Sequence, residues 1–223
     1  MNLVKKISVL AIGLCLGLSL QAQVDVQSLP KREFRAAWLT TVWAIDWPKP
    51  NNAVNATQQQ QQQESLLAFV DKMAAANMNA VFFQVRGFSD AMYNSKYEPW
   101  SQYLTGTRGK APNYDPLALL IDYAHFKGIE VHAWINPYRY ASSDATYGRN
   151  HEKDYHNTHP EWLVQCGDIT ALNPSLPEVR EQICKVVADI VENYDIDGVV
   201  FDDYFHYSGY KDEYDQEQYD ATG

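Results

Sequence analysis

The sequence predicts an α/β fold of parallel strands joined by helical crossovers, and three observations lead there. Short apolar runs alternate with longer segments of helical spacing, in the order strand, helix, strand, helix, strand, helix, strand. Every link from helix to strand is short, and every link from strand to helix is long. After the first strand, where a doubly wound nucleotide-binding sheet carries a glycine-rich phosphate turn, stand Trp43, Asp46 and Trp47. Long loops gathered at the carboxyl ends of parallel strands are how a (β/α)8 TIM barrel presents an active site. Only the first four strands are visible, so the expectation is the amino-terminal half of such a barrel, within a fragment of a longer product.

In chain order, residues 1–22 read as a secretory signal peptide. Lys5 and Lys6 open it, Ile7 to Leu20 is apolar, and Ala22 is a small residue before the cut. The apolar stretch is short for a membrane span, and Leu14 before Cys15 argues against a lipid anchor. A secreted or periplasmic protein with no membrane span after signal removal is expected. Losing Lys5 and Lys6 takes the formal charge from −10 to −12, 16 basic against 28 acidic side chains. So acidic a chain is a poor candidate for nucleic acid or anionic membrane surfaces, and no nucleic-acid partner is expected. Of the three cysteines, Cys166 and Cys184 remain after cleavage, too few for a disulfide framework.

Residues 23–32 form a polar lead-in, and 33–207 the expected half-barrel. Phe34 to Val42, rich in aromatic and β-branched residues, is the first strand. The tract Gln58 to Gln63 is read as the exposed first turns of a helix whose apolar face is Leu66, Val70, Met73 and Ala74. Ala80 to Val85 is the second strand. Asp115-Pro116 opens the second helix as cap and first residue, and Gly128 ends it. Ile129 to Ile135 is the third strand. Ser175 with Glu178 spells a capping box for the third helix, which leads to the strand Val199–Phe201. The connections 86–114 and 136–174 are long and aromatic-rich, and 208–223 is a polar tail.

Strand ends collect the residues with chemistry. Asp202 and Asp203 follow the fourth strand and, by alternation, face opposite ways. Trp43 and Asp46 follow the first strand, Gln84 and Arg86 the second, and His132, Trp134, Asn136 and Arg139 belong to the third. His206 lies just past the acids. Glycoside hydrolysis needs one carboxylate as nucleophile or base and a second carboxyl group as proton donor. A strand-end Asp fits the first role, with an arginine nearby to keep it ionised. Tyr and Trp would stack on sugar rings, so Tyr93, Tyr97, Trp100 and Tyr103, facing Tyr138, Tyr140 and Trp162, are expected to wall a cleft for an extended glycan. Neither a metal nor a cofactor is expected, since His151, His156 and His159 follow no metal-ligand spacing.

The stretches EFRAAWLTTV, NMNAVFFQVRGFSDAMYNS, GIEVHAWINPYR, LNPSLPEVR and YDIDGVVFDDYF, in that order, resemble the glycosyl-hydrolase-like family ten. This is a group of bacterial secreted and cell-envelope proteins with a TIM barrel. The resemblance implies carbohydrate hydrolysis, with cell-wall glycans as one substrate class, and places the family's strand-four acid at Asp202. By similarity to α-amylase-like barrels, the proton donor would be a Glu after a fifth strand. Two readings follow: a hydrolase of a polysaccharide or peptidoglycan glycan strand, and a glycan-binding barrel that lacks the donor.

Overall fold

The computed structural model describes residues 33–142, 151–202 and 204–222. The expected signal peptide (1–22) and lead-in (23–32), and Asp203, lie outside them. Among the described residues seven strands are formed: β1 (Ala36–Leu39), β2 (Ala80–Arg86), β3 (Glu130–Ile135), β4 (Arg139–Ser142), β5 (Leu163–Cys166), β6 (Ile169–Leu172) and β7 (Gly198–Phe201). The helices are α1 (Ala56–Ala75), α2 (Gln102–Thr105), α3 (Pro116–Phe126), α4 (Tyr155–Thr158), α5 (Pro177–Asn193) and α6 (Gln216–Thr222).

One sheet runs β1-β2-β3-β7, every neighbour parallel. Alternation splits its side chains into two sets. Leu39, Val81, Phe83, Val131, Ala133 and Ile135 are buried in one cluster with Leu66 and Val70 of α1, Leu117 and Leu120 of α3, and Val186 and Ile190 of α5. All three crossovers therefore cover the same face. A doubly wound sheet carries helices on both faces, whereas strands in sequential order with helices on one side are the barrel arrangement. The opposite face is aromatic: the Trp38 ring lies 4.5 Å from that of Phe82 and meets Trp134 edge-on at 4.8 Å. Trp38 is 49% exposed and Phe34 58%. Gly198 pairs with His132 on this face, and a Cβ there would stand 2.4 Å from the imidazole Nδ1.

Local chemistry sets the element ends. The Asp115 carboxylate accepts from the N–H groups of Leu117 and Ala118, with Pro116 as first residue of α3. Gly128, at φ +72°, takes the left-handed position just past that helix. The expected Ser175/Glu178 capping box does not form. Helix α5 starts at Pro177 behind Leu176, and the Ser175 hydroxyl bonds Asn173 Oδ1 at 2.8 Å instead. The glutamine tract is helical but not wholly exposed. Gln62 is fully buried, donating to the carbonyls of Pro50 and Leu104 and accepting from the Tyr114 hydroxyl.

Within the connection 136–174, β4, β6 and β5 form a second, antiparallel sheet in that order. The tail is not a loose loop either. Tyr207 is buried with Val164, Cys166 and Ala171 of this sheet, and Tyr210 and Tyr214 pack against the same cluster. Tyr210 donates to Asn173 Oδ1 at 2.7 Å, and Asn173 Nδ2 donates to the Tyr214 carbonyl at 2.8 Å. Cys166 and Cys184 are both free. Among the described residues no helix is long and apolar enough to cross a membrane.

Candidate active site

The site grows from the end of β7. The Asp202 N–H still bonds the Ile135 carbonyl, so the strand register carries on and points Asp202 to the aromatic face shared by Gly198 and Val200. Three donors converge on its carboxylate. Trp134 Nε1 lies 3.1 Å from Oδ2, Asn136 Nδ2 is 3.1 and 3.0 Å from the two oxygens, and the Tyr204 N–H is 3.3 Å from Oδ1. All three stabilise the ionised form. Burial outweighs them: it pushes the Asp202 carboxyl above its ordinary value, while the three donors and the positive charge of Arg139 pull it back.

Asn136 is held in turn. Its Oδ1 accepts from the Arg139 N–H and the Tyr207 hydroxyl, each at 2.8 Å, which fixes the amide so that its nitrogen faces Asp202. Its carbonyl accepts from Arg86. Arg86 is fully buried and grips both oxygens of the equally buried Glu98 through Nε and Nη2 at 2.6–3.0 Å, and Nη2 also donates to Ser89 Oγ at 2.9 Å. Burial works against the Arg86 charge, but the Glu98 carboxylate wins and holds the guanidinium firmly protonated. Tyr155 donates to Glu98 Oε1 at 3.0 Å.

Not every expected site residue reaches this centre. Arg86 is a scaffold cation rather than a sugar contact, because its donors are spent inside the protein. Gln84 is likewise buried, its Oε1 accepting from the N–H groups of Thr41 and Val42 to fix the turn that carries Trp43. The Asp46 carboxylate accepts from the Thr40 N–H at 2.9 Å in that turn. His132 bonds Glu130 at 3.0 Å near the start of β3. It pairs with Gly198, four residues or about 13 Å of strand from Asp202, so it belongs to the other end of the sheet. His206 is exposed and packs on Tyr210. Tyr138, half-buried, meets Phe205 edge-on. Trp100 packs against the main core, and Tyr93, Tyr140 and Trp162 are buried. The buried rings Tyr93, Tyr140 and Trp162 pack the loops from inside, whereas Tyr97 is exposed and Tyr103 and Tyr138 are half-buried.

Other groups do gather beside Asp202. Arg139, 6% exposed, has its guanidinium carbon 4.8 Å from the Tyr204 ring, 5.7 Å from Trp43 and 5.6 Å from Phe88. Tyr207 and Glu98 lie in no motif that would have marked them, and Tyr204 stands within YDIDGVVFDDYF without having been singled out. Among the described residues no group of His, Cys, Asp and Glu could hold a metal ion.

A carboxylate pinned by donors at the carboxyl end of a parallel strand, with helices on the far face only, defines a β/α protein of the barrel type. The match to known proteins goes further, because the family described as Glycosyl hydrolase-like 10 fits residues 33–223, and the chain belongs to it. It is 41% identical over 194 residues to "Glycosyl hydrolase YngK" of Bacillus subtilis (strain 168), covering 86% of this chain and 37% of that protein. It is 38% identical over 185 residues to "Glycosyl hydrolase DigH" of Escherichia coli (strain K12), covering 77% and 42%. The chain thus spans about two-fifths of the length of these relatives. Its fold is shared with a TIM-barrel glycosidase, α-L-fucosidase isoenzyme 2 from Paenibacillus thiaminolyticus. That similarity has a TM-score of 0.53 at 15% identity, over 85% of this chain and 26% of the other.

Proposed function

We propose that this chain carries the nucleophile side of a glycoside hydrolase acting on a polysaccharide or a peptidoglycan glycan strand. The observation that carries the reading is the Asp202 carboxylate, held by Trp134, Asn136 and Tyr204 at a strand end beside exposed aromatic rings. In this reading Asp202 attacks the anomeric carbon or activates water, and the donors keep both its charge and its direction. The proton for the leaving oxygen comes from a second carboxyl group, expected on a following strand of the full-length protein. A secretory signal at residues 1–22 would deliver the protein to the envelope or medium, where such glycans occur.

Asp202→Asn in the full-length protein tests this. The variant should fold and bind oligosaccharide yet lose turnover by about 10³-fold or more, since a catalytic charge is worth several kcal/mol in the transition state. Near-normal turnover by the variant would overturn the assignment. A wild-type protein that binds glycans and never cleaves them would favour the glycan-binding barrel.

A further inference from the structure

Three arginines of this region are buried, and the protein treats one of them differently. Arg86 is neutralised by Glu98. Arg108 has Asp154 at 3.0 Å and Asp90 at 3.5 Å, and it also donates to the carbonyls of Phe88 and Ser89. Arg139, on β4 above the site, has none of this. Its Nε is buried without a hydrogen-bond partner, and its guanidinium makes no hydrogen bond or ion pair among the described residues. Asp202 feels its charge but is bonded by other groups.

What surrounds Arg139 instead is ring faces: Trp43, Phe88 and Tyr204. Rings accommodate the charge of a guanidinium but cannot satisfy its in-plane N–H donors. A buried donor left unsatisfied is costly, so such a group needs an explanation, and for a charged one beside a candidate site a bound anion is one. The planar fork of a guanidinium matches a carboxylate, which it binds through two parallel N–H···O bonds. The whole chain is acidic, at −10, so an anionic glycan would be repelled unless a local cation received it.

We infer that Arg139 is a specificity-determining residue that receives a carboxylate carried by the sugar bound beside Asp202, which makes an acidic saccharide the substrate class. This rests on the glycan reading above and narrows it. Trp43 and Tyr204 then act as the side walls that hold the guanidinium plane toward the sugar.

The test uses a tetrasaccharide of alternating glucuronic acid and N-acetylglucosamine, and the same tetrasaccharide after carboxyl reduction. Affinities are measured by titration calorimetry for the wild type, Arg139→Gln and Arg139→Lys, each checked for folding by thermal melt. The wild type should bind the acidic form at least about tenfold tighter, the gain of one charge-assisted bidentate contact. Arg139→Gln should bring the two forms within about twofold of each other. Should that variant fail to fold, Arg139→Lys, which keeps the charge and loses the fork, must show a reduced preference. Equal affinity of the wild type for both forms would overturn the inference and leave the glycan reading standing. An equal loss for both forms in Arg139→Gln would also overturn it, since Arg139 would then act only on Asp202. Binding of neither form would overturn the inference for uronic-acid saccharides, while the glycan reading is tested separately by the turnover of Asp202→Asn.

Discussion

Arg86→Met separates a scaffold cation from a substrate contact, and the structure sets the size of the effect. Arg86 and Glu98 have no exposed side-chain surface. Removing the guanidinium leaves Glu98 with the Tyr155 hydroxyl in place of a three-bond clamp, and it frees the Asn136 carbonyl that Arg86 holds. Stranding one partner of a buried ion pair costs about 3–5 kcal/mol. At about 2–4 °C per kcal/mol for a domain of this size, the melting temperature should fall by roughly 6–20 °C. Replacing both members, as Arg86→Met with Glu98→Met, should recover much of that loss, because an apolar pair of similar volume is often neutral. Circular dichroism melts and urea titrations of the wild type, both single variants and the double variant give the coupling energy directly. A fall under about 1 kcal/mol in Arg86→Met, joined to weaker saccharide binding, would refute the argument. Arg86 would then be a ligand-facing group and the burial argument wrong.

Two other outcomes can be measured without a substrate. Gly198→Ala drives a Cβ into the His132 ring, which is packed by Phe34 and Phe82 and tied to Glu130, so overpacking should cost about 1–3 kcal/mol in urea. His132→Ala in the same chain should relieve it, and an unchanged midpoint in the single variant would show that the ring swings clear. The second outcome concerns Asp202, whose carboxyl is held above its ordinary value of 3.8 by burial. A carboxyl raised in the folded state favours folding while protonated, and that contribution is lost as pH rises through the folded-state value. Relative to Asp202→Asn, the wild type should therefore lose stability as pH climbs from below 3.8 toward neutrality. A difference between the two proteins that runs the other way would mean that the three donors outweigh burial.

Much of the parallel sheet was legible because its signals are local. The alternation of elements, the Asp115-Pro116 start and the Gly128 stop are written in neighbouring residues. The carboxyl end of β7 was legible for the same reason. The antiparallel sheet was not, although Gly167-Asp168 between LVQC and ITAL is a two-residue hairpin signal. Strands this short stand out only when helices alternate with them, as beside β1 and β7, and no long helix flanks β4, β5 or β6 within the connection. Site residues split along the same line. Asp202, Trp134, Asn136 and Arg139 follow from strand ends, whereas Arg86 looked identical to Arg139 until its partner Glu98, twelve residues away in an aperiodic loop, came into view. Nothing local distinguishes an arginine that meets a buried acid from one that does not.

The glutamine run has a consequence for how this gene can change. Its six identical side chains are not equivalent, since Gln59 reaches the Ala53 carbonyl, Gln62 reaches those of Pro50 and Leu104, and Gln60 faces outward to Glu64. One residue gained or lost inside the tract would rotate every preceding position by about 100° around the helix. A glutamine would still stand at the position that reaches Leu104, because its neighbours are identical, but Asn55 would lose its place as the helix cap. A homopolymer that elsewhere tolerates drift in its length is here a ruler of fixed length.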